Sequence, residues 1–171
     1  MCGIIGILGK EDKELIRKMT SVLSHRGPDD YDYFNDKNVS IGHRRLSIID
    51  LSKKGRQPLF NENKDILVIC NGEIYNYIEL RKELERLGHR FYSNSDSEVL
   101  VHLYEEHGER FLDKLIGMFS FCIWDIKNKK GLLVRDRLGI KPLYYYFKDG
   151  ILFFASEIKS LLLNEEIKKE I

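Results

Sequence analysis

The chain has 171 residues, of which 43% are hydrophobic and 32% charged, and a formal net charge of +1. This composition is typical of one folded domain with a substantial core, and it argues against nucleic-acid and membrane-surface partners. Its three cysteines are widely spaced, without a C-x-x-C pair, so we predict no disulfide framework, no metal site and a reducing, cytoplasmic compartment.

The first half of the chain mixes apolar strands with amphipathic helices. Helical spacing of apolar residues predicts helices over 12–23 and 77–87, the second ended by Gly88. Short apolar or alternating runs predict strands over 2–8, 31–34, 39–49 and 66–70. Asn71-Gly72 follows the last of these runs and is a turn signal, so we expect the strand to end there.

The second half begins with a helix and then becomes β-rich. Ser95-Asp96-Ser97-Glu98 has the form of a capping box and predicts a helix to about residue 107, with another turn over 110–115. Strands are predicted over 118–125, 131–135, 143–147 and 151–155. Ser156 is expected to cap a last helix to residue 163, and the charged residues 164–171 to fray. The grouped strands and short turns favour antiparallel sheets with helices on their outer faces.

Cys2 directly follows the initiator methionine. Removal of Met1 would leave a residue that carries both a nucleophilic thiol and a free α-amine. The two groups have ordinary pKa values of about 8.5 and about 8, so the amine can serve as the general base for its own side chain. On position alone, an equally good interpretation is a small apolar residue at the start of a strand.

Further short motifs follow Cys2-Gly3-Ile4. In order, they are His25-Arg26-Gly27-Pro28-Asp29, Gly42-His43-Arg44-Arg45-Leu46-Ser47-Ile48-Ile49-Asp50, Gln57-Pro58-Leu59, Asn71-Gly72-Glu73-Ile74-Tyr75-Asn76, Ser95-Asp96-Ser97-Glu98, Gly117-Met118-Phe119-Ser120-Phe121 and Arg135-Asp136-Arg137-Leu138-Gly139-Ile140-Lys141-Pro142-Leu143-Tyr144-Tyr145. Together they closely resemble the glutamine-hydrolysing domain of class II glutamine amidotransferases, in the asparagine synthetase branch. These enzymes are N-terminal-nucleophile hydrolases.

The resemblance implies a fold and a reaction. The fold is α+β, a four-layer αββα sandwich of two antiparallel sheets, with a glutamine amidotransferase type 2 domain over 1–171. In the reaction, the Cys2 thiol attacks the side-chain amide of L-glutamine, and negative charge develops on the amide oxygen. Preorganised donors stabilise such an oxyanion, and the resemblance assigns this role to Asn71 and Gly72. The alternative for this pair is an ordinary Asn-Gly turn.

The resemblance also assigns residues to the charged head of glutamine. The α-carboxylate suits a bidentate guanidinium, which is assigned to Arg45. The α-ammonium is assigned to Asp96 and Glu73. An acidic residue at Asp96 is also favoured by the dipole of the helix that begins there, and both interpretations can hold. Backbone groups implied to line the same pocket are those of Leu46, Ser47, Ile48 and Ile49.

Other motif residues receive structural interpretations. The loop 25–28 is expected to take part in closure over glutamine, with His25 structural because the α-amine supplies the base. A solvated strand end is the alternative for His43, Arg44 and Arg45, and for Arg44 we accept it. Residues 135–137 and 141–142 are expected to organise a strand crossover, with an Arg–Asp pair. Cys70 and Cys122 are expected to be inert core thiols.

The chain contains no Ser-Gly-Gly-x-Asp-Ser pyrophosphate loop and no Walker-type loop. We therefore expect the ATP-dependent synthetase domain to be absent from it, with ATP and magnesium belonging only to that partner and no cofactor in this chain. The expected partners are L-glutamine and a synthetase domain or subunit, and a homo-oligomer stays open. The most favoured ammonia acceptor is aspartate. Alternatives are a sugar or peptide acceptor, a non-catalytic glutamine-sensing or docking module, and an amidase for another substrate.

Overall fold

The computed structural model describes residues 1–167. Its strands are β1 (Gly3–Leu8), β2 (Asp30–Asp36), β3 (Val39–Arg45), β4 (Leu59–Phe60), β5 (Ile66–Ile74), β6 (Gly117–Asp125), β7 (Lys130–Arg135), β8 (Tyr144–Lys148) and β9 (Ile151–Ala155). Its α-helices are α1 (Lys13–Ser21), α2 (Tyr77–Leu87), α3 (Val99–His107) and α4 (Ile158–Leu161). Short 3-10 turns occur at Lys53–Gly55, Asp96–Glu98 and Gly108–Lys114.

The strands form two antiparallel sheets, with orders β2-β3-β1-β9-β8 and β4-β5-β6-β7. Three apolar cores separate four layers. Helices α1 and α4 cover the first sheet, residues such as Leu67 and Trp124 fill the space between the sheets, and α2 and α3 cover the second sheet. The predicted four-layer αββα sandwich of two antiparallel sheets is therefore confirmed.

Strand β1 lies in the middle of the first sheet and is buried on both faces. Ile5 and Ile7 face the core beneath α1, whereas Ile4 faces the second sheet. Gly6 must lack a side chain, because a Cβ there would lie 2.2 Å from the ring of Phe154. Tight packing on both faces therefore fixes the strand that carries Cys2 at its N-terminal end.

The predicted turn at Asn71-Gly72 is wrong, because β5 continues through both residues to Ile74. Asn71 pairs with Ser120 and Gly72 pairs with Phe119. A Cβ on Gly72 would lie 2.2 Å from the Met118 carbonyl oxygen. Glycine is thus required here by the close approach of the neighbouring strand, not by a turn.

Strand β3 ends at Arg45, four residues before its predicted end. The following segment leaves the sheet because Asp29 Oδ2 accepts a hydrogen bond from Ser47 N at 2.7 Å. The Arg45 guanidinium also binds the carbonyl oxygens of Asp50 and Ser52. These contacts turn residues 46–52 into a loop. The two-residue strand β4 was not predicted.

Helix starts and the C-terminal segment differ in detail from the predictions. Ser95 is the N-cap residue, but its Oγ accepts from Ser97 N at 3.3 Å and not from Glu98 N. Glu98 accepts from Tyr92 N and Ser93 N, so the predicted capping box does not form. Ser156 does not cap α4.

The Ser156 hydroxyl oxygen instead accepts a hydrogen bond from Ile4 N at 3.0 Å, and Glu157 is the N-cap residue of α4. Ile167 packs into the core beneath α1 rather than fraying, and the rest of the predicted frayed tail lies outside the described residues. Within 1–167, no helix is both long and apolar enough to span a membrane.

Candidate active site

One pocket collects nearly all the residues that the sequence singles out. It lies where the start of β1, the end of β3, the end of β5 and the start of α3 meet. Its lining residues are Met1, Cys2, Arg45, Leu46, Ile48, Ile49, Asp50, Gly55, Gln57, Cys70, Asn71, Gly72, Glu73, Ser95, Asp96, Ser97 and Lys141. Of the predicted site residues, Ser47 alone is missing from this lining.

Cys2 stands at the pocket with its main chain firmly held. Its sulfur lies 3.4 Å from Leu46 N and 3.6 Å from Leu46 O, and Arg26 Nε donates to its carbonyl oxygen at 2.9 Å. Burial raises the pKa of the Cys2 thiol, although the Leu46 N–H, the terminal ammonium and Arg45 favour the thiolate. With Met1 in place, the nucleophile is therefore kept as a thiol.

Asn71 lines the pocket and carries an unused hydrogen-bond donor. Its side chain is only 1% exposed, and its Nδ2 has no hydrogen-bond partner among residues 1–167. A buried polar group left unpaired costs about 1–3 kcal/mol, so this amide is suited to a ligand that accepts a hydrogen bond. The adjacent Gly72 lines the same wall.

Arg45 is buried and oriented by main-chain oxygens. Nη1 donates to Ser52 O at 2.7 Å, and Nη2 donates to Asp50 O. A Cβ on Gly55 would collide with this guanidinium, at 2.4 Å from Nη2. A guanidinium has five N–H donors, so these two bonds hold the group while leaving others for a carboxylate.

Asp50 joins the Arg45 loop to the segment before α3. Its carboxylate accepts from Ser52 N at 2.8 Å and from Asn94 N at 2.9 Å. Burial alone would raise the pKa of Asp50, but its hydrogen bonds outweigh that effect and hold the pKa below its usual value. An ionised Asp50 therefore fixes the two segments that form this side of the pocket.

Acidic groups occupy another part of the lining. Asp96 is nearly buried, and its Oδ2 accepts from Ile74 N at 2.8 Å. Burial raises the pKa of Asp96, the Ile74 N–H opposes the rise, and the Glu73 carboxylate adds to it. The pocket thus offers both a guanidinium and carboxylates, the charges that a free amino acid needs.

The loop 25–28 does not line the pocket. His25 Nε2 lies 2.9 Å from Glu157 Oε1, and Arg26 Nη1 donates to the same oxygen at 3.1 Å. The structure therefore gives this loop an anchoring role beside Cys2, and its closure over glutamine stays a prediction.

Sequence reasoning missed five polar lining residues, Asp50, Gln57, Ser95, Ser97 and Lys141. Gln57 Oε1 accepts from Cys70 N at 2.6 Å, and Lys141 Nζ lies 3.6 Å from Met1 Sδ. Both belong to motifs that carry the family resemblance, but their positions in the chain give no sign of the pocket.

The crossover 135–142 is organised mainly by hydrogen bonds between side chains and the backbone. Asp136 accepts from the backbone of Leu138, Ile140 and Lys141, and Arg135 donates to the carbonyl oxygens of Gly139 and Lys141. An Arg–Asp pair is present at the surface, where Arg137 Nη2 lies 3.9 Å from Asp113 Oδ1. The backbone contacts hold the segment that places Lys141 at the pocket.

Two buried cysteines and a buried histidine near the site are uncharged, and the nearby Arg44 binds elsewhere. Cys70 lines the pocket, and burial raises the pKa of its thiol well above the usual value, whereas Cys122 lies between the sheets. His43 is fully buried, so it is not part of a solvated strand end. Its Nε2 lies 3.2 Å from Cys70 O, and burial lowers its pKa to about 4. Arg44 stacks on Tyr31, 5.0 Å from the ring centre.

The four-layer fold with a cysteine at the head of a central strand defines the class of N-terminal-nucleophile hydrolases. Within that class, the chain belongs to the glutamine amidotransferase domain family, which it matches over residues 1–171.

Relatives of known name support this assignment. The chain is 46% identical over 180 residues to asparagine synthetase (glutamine-hydrolyzing) 1 of Bacillus subtilis (strain 168), covering 99% of this chain and 28% of that protein. It is 50% identical over 168 residues to asparagine synthetase (glutamine-hydrolyzing) 2 of the same strain, covering 94% and 22%. It therefore spans less than a third of the length of these curated relatives.

A solved structure shows the same fold. Glutamine phosphoribosylpyrophosphate amidotransferase from B. subtilis matches with a TM-score of 0.80 at 23% identity, over 95% of this chain and 43% of that one.

Proposed function

We propose that this chain, a glutamine amidotransferase type 2 domain over 1–171, hydrolyses L-glutamine to glutamate and ammonia through a thioester on Cys2. One observation carries the proposal: the Cys2 thiol and the unpaired buried amide of Asn71 share a pocket with Arg45 and Asp96. A nucleophile, an oxyanion donor and two opposite charges are the groups that attack on the side-chain amide of a free amino acid requires.

The reaction begins after removal of Met1. The free α-amine of Cys2 takes the thiol proton, and the sulfur attacks the amide carbon of glutamine. Asn71 Nδ2 and the Gly72 N–H stabilise the oxyanion. When this tetrahedral intermediate collapses, the α-ammonium donates its proton to the departing nitrogen, which leaves as ammonia. Water, deprotonated by the same amine, then adds to the thioester and releases glutamate, and the thiol is restored.

Met1 explains why processing is required. It lines the same pocket, and its backbone converts the α-amine of Cys2 into an amide without basic character. Burial raises the pKa of the thiol in this unprocessed form. The unprocessed chain therefore lacks the base that the reaction needs.

Substrate selection follows from the charged groups. Arg45 binds the α-carboxylate, Asp96 and Glu73 bind the α-ammonium, and the backbone of the loop from Leu46 to Ile49 borders the bound molecule. Ser47 acts here through its hydrogen bond to Asp29.

The ammonia is passed to an ATP-dependent synthetase domain or subunit, and the acceptor is aspartate. Support comes from the names of the relatives, which are glutamine-hydrolyzing asparagine synthetases. Their chains extend well beyond the matched region. The glutaminase step needs no cofactor, and ATP and magnesium belong to the synthetase. All three cysteines are free, which suits a cytoplasmic enzyme.

The test is glutamine turnover by the purified chain after intact-mass measurement has shown loss of Met1. We expect equal amounts of glutamate and ammonia. Cys2→Ala should abolish turnover while calorimetry still detects glutamine binding, and Cys122→Ala should retain turnover because that thiol lies between the sheets. Glutamine binding without ammonia release by the processed wild type would instead identify a silent sensing module.

A further inference from the structure

A second cluster of ligand-type side chains lies outside the active-site pocket. It comprises Glu62 in the β4–β5 connection, His89 after α2, and His102 and Glu105 on α3. One nitrogen or oxygen atom from each lies within 4.8 Å of those of the others. None of the four lines the active-site pocket. The glutaminase reaction makes no use of this cluster.

The distances in the cluster suit ligands of one ion. Glu62 is central: its Oε2 lies 3.2 Å from His102 Nδ1, and its Oε1 lies 3.4 Å from His89 Nδ1. His89 Nδ1 also lies 4.0 Å from Glu105 Oε2. Bonds of about 2.0–2.1 Å in a tetrahedral zinc site place neighbouring ligand atoms roughly 3.4 Å apart. Small side-chain movements therefore complete such a site.

His102 provides an independent sign of a missing ligand. Its side chain is fully buried, and neither ring nitrogen makes a hydrogen bond to any residue in 1–167. The 3.2 Å approach to Glu62 does not have hydrogen-bond geometry. Since buried polar groups are nearly always paired, a metal bound to Nδ1 accounts for the open side of this ring.

The surrounding groups have the arrangement found around metal ligands. His89 Nε2 lies 3.0 Å from Glu106 Oε1, and His102 Nε2 lies 3.8 Å from Glu98 Oε1. A ligating histidine typically directs its other ring nitrogen at such a carboxylate, which fixes the tautomer. The two carboxylate ligands are held as well. Glu62 accepts from Arg90 N at 2.7 Å, and Glu105 accepts from Asn61 Nδ2 at 3.2 Å.

We propose that Glu62, His89, His102 and Glu105 bind one zinc ion. Two imidazoles favour a transition metal over Mg²⁺ and Ca²⁺, which prefer oxygen ligands, and two carboxylates balance the double positive charge. Four protein ligands make this a structural site. The sequence prediction of no metal site missed it because the ligands come from three separate segments.

The ion enters from the surface and acts on the segment before α3. A cleft lined by Glu62, His89 and Glu105 opens to solvent. Behind His102, Glu98 accepts from Ser93 N at 2.8 Å, and Ser93 Oγ accepts from Ser95 N at 3.1 Å. The zinc therefore orders the chain that leads to the active-site pocket without taking part in the reaction.

Calorimetric titration of the chelator-treated chain with ZnCl₂ tests this site. The Cys2→Ala background removes the thiol of the active-site pocket as a competing ligand. We expect one zinc per chain and no binding of MgCl₂. His89→Gln and Glu105→Gln, both near the surface, should weaken binding at least about 100-fold, and Glu106→Ala by about 10–100-fold.

His107→Gln is the matched control, because His107 is on α3 but outside the cluster; it should bind zinc like the background protein. The Co²⁺-loaded protein should show tetrahedral visible bands without a sulfur-to-cobalt charge-transfer band. Absence of stoichiometric binding, undiminished binding by His89→Gln, or a thiolate band would each overturn the proposal.

Discussion

Asn71 shows how a single residue is prepared for a transition state. Its amide nitrogen is buried without a partner among the described residues, it lines the same pocket as Cys2, and its backbone is fixed by pairing with Ser120. The donor therefore needs no reorganisation when the oxyanion forms.

We predict that Asn71→Ala lowers kcat for glutamine hydrolysis by about 10²–10³, with little change in KM, because this contact strengthens only as the oxyanion forms. Steady-state kinetics would measure both constants. Asn164→Ala removes another buried asparagine, outside the pocket, and should leave kcat unchanged. A loss expressed only in KM would assign Asn71 to ground-state binding.

Arg45 and Arg44 form a matched pair of neighbours with different environments. Arg45→Lys replaces the fork that reaches Asp50 O and Ser52 O with a single ammonium. A charge-assisted hydrogen bond contributes roughly 1.5–3 kcal/mol, so we expect KM for glutamine to rise about 10–100-fold. Arg44→Lys should have no such effect, because Arg44 faces Tyr31. Equal effects of the two substitutions would contradict the role of Arg45.

Among the elements, those with clear periodicity were predictable. Helix α2 matches its prediction because its apolar spacing and Gly88 are local signals. The ends of β3 and β5 were not predictable from local sequence. Pairing with β6 overrides the turn preference of Asn71-Gly72. The hydrogen bond from Arg45 to Asp50 O holds the apolar residues 46–49 in a loop outside the sheet.

The candidate site was predictable only as far as the motifs reach. Cys2 and Arg45 were identified by resemblance, and the pocket contains both. Arg26 donates a hydrogen bond to the carbonyl oxygen of Cys2, 24 residues away in the chain, and Lys141 contacts Met1 across 140 residues. Contacts over such separations depend on the packed sandwich, which local patterns do not encode.

His43 connects the two sheets, from β3 to the Cys70 carbonyl on β5. Its pKa is lowered by burial from 6.5 to about 4. The unfolded chain therefore takes up the proton first as pH falls. The free energy of unfolding should be unaffected by His43 above pH 6.5 and should decrease by about 3 kcal/mol between pH 6.5 and pH 4.

Denaturant unfolding at several pH values would measure this decrease. His43→Gln keeps a donor for the carbonyl but does not titrate, so its profile should be flatter over that interval. The same slope in both proteins would show that other groups cause the acid sensitivity.

For the whole molecule, catalysis depends on a free chain end. We predict that an uncleaved N-terminal extension reduces glutamine hydrolysis to the level of Cys2→Ala, because the α-amine is then an amide. The same extension placed at the C-terminus is the control and should leave turnover intact. Ammonia release at the normal rate with the N-terminal extension in place would exclude the α-amine as the base.

The middle position of β1 also sets an order of events during synthesis. Cys2 is translated long before the segment that completes its surroundings, because its strand pairs with β9 and Ile4 N donates to Ser156 Oγ across 152 residues. The nascent chain therefore carries its nucleophile unassembled until translation of this region is almost finished. Aminopeptidase trimming has that whole interval in which to act, and unfinished chains discarded earlier cannot waste glutamine.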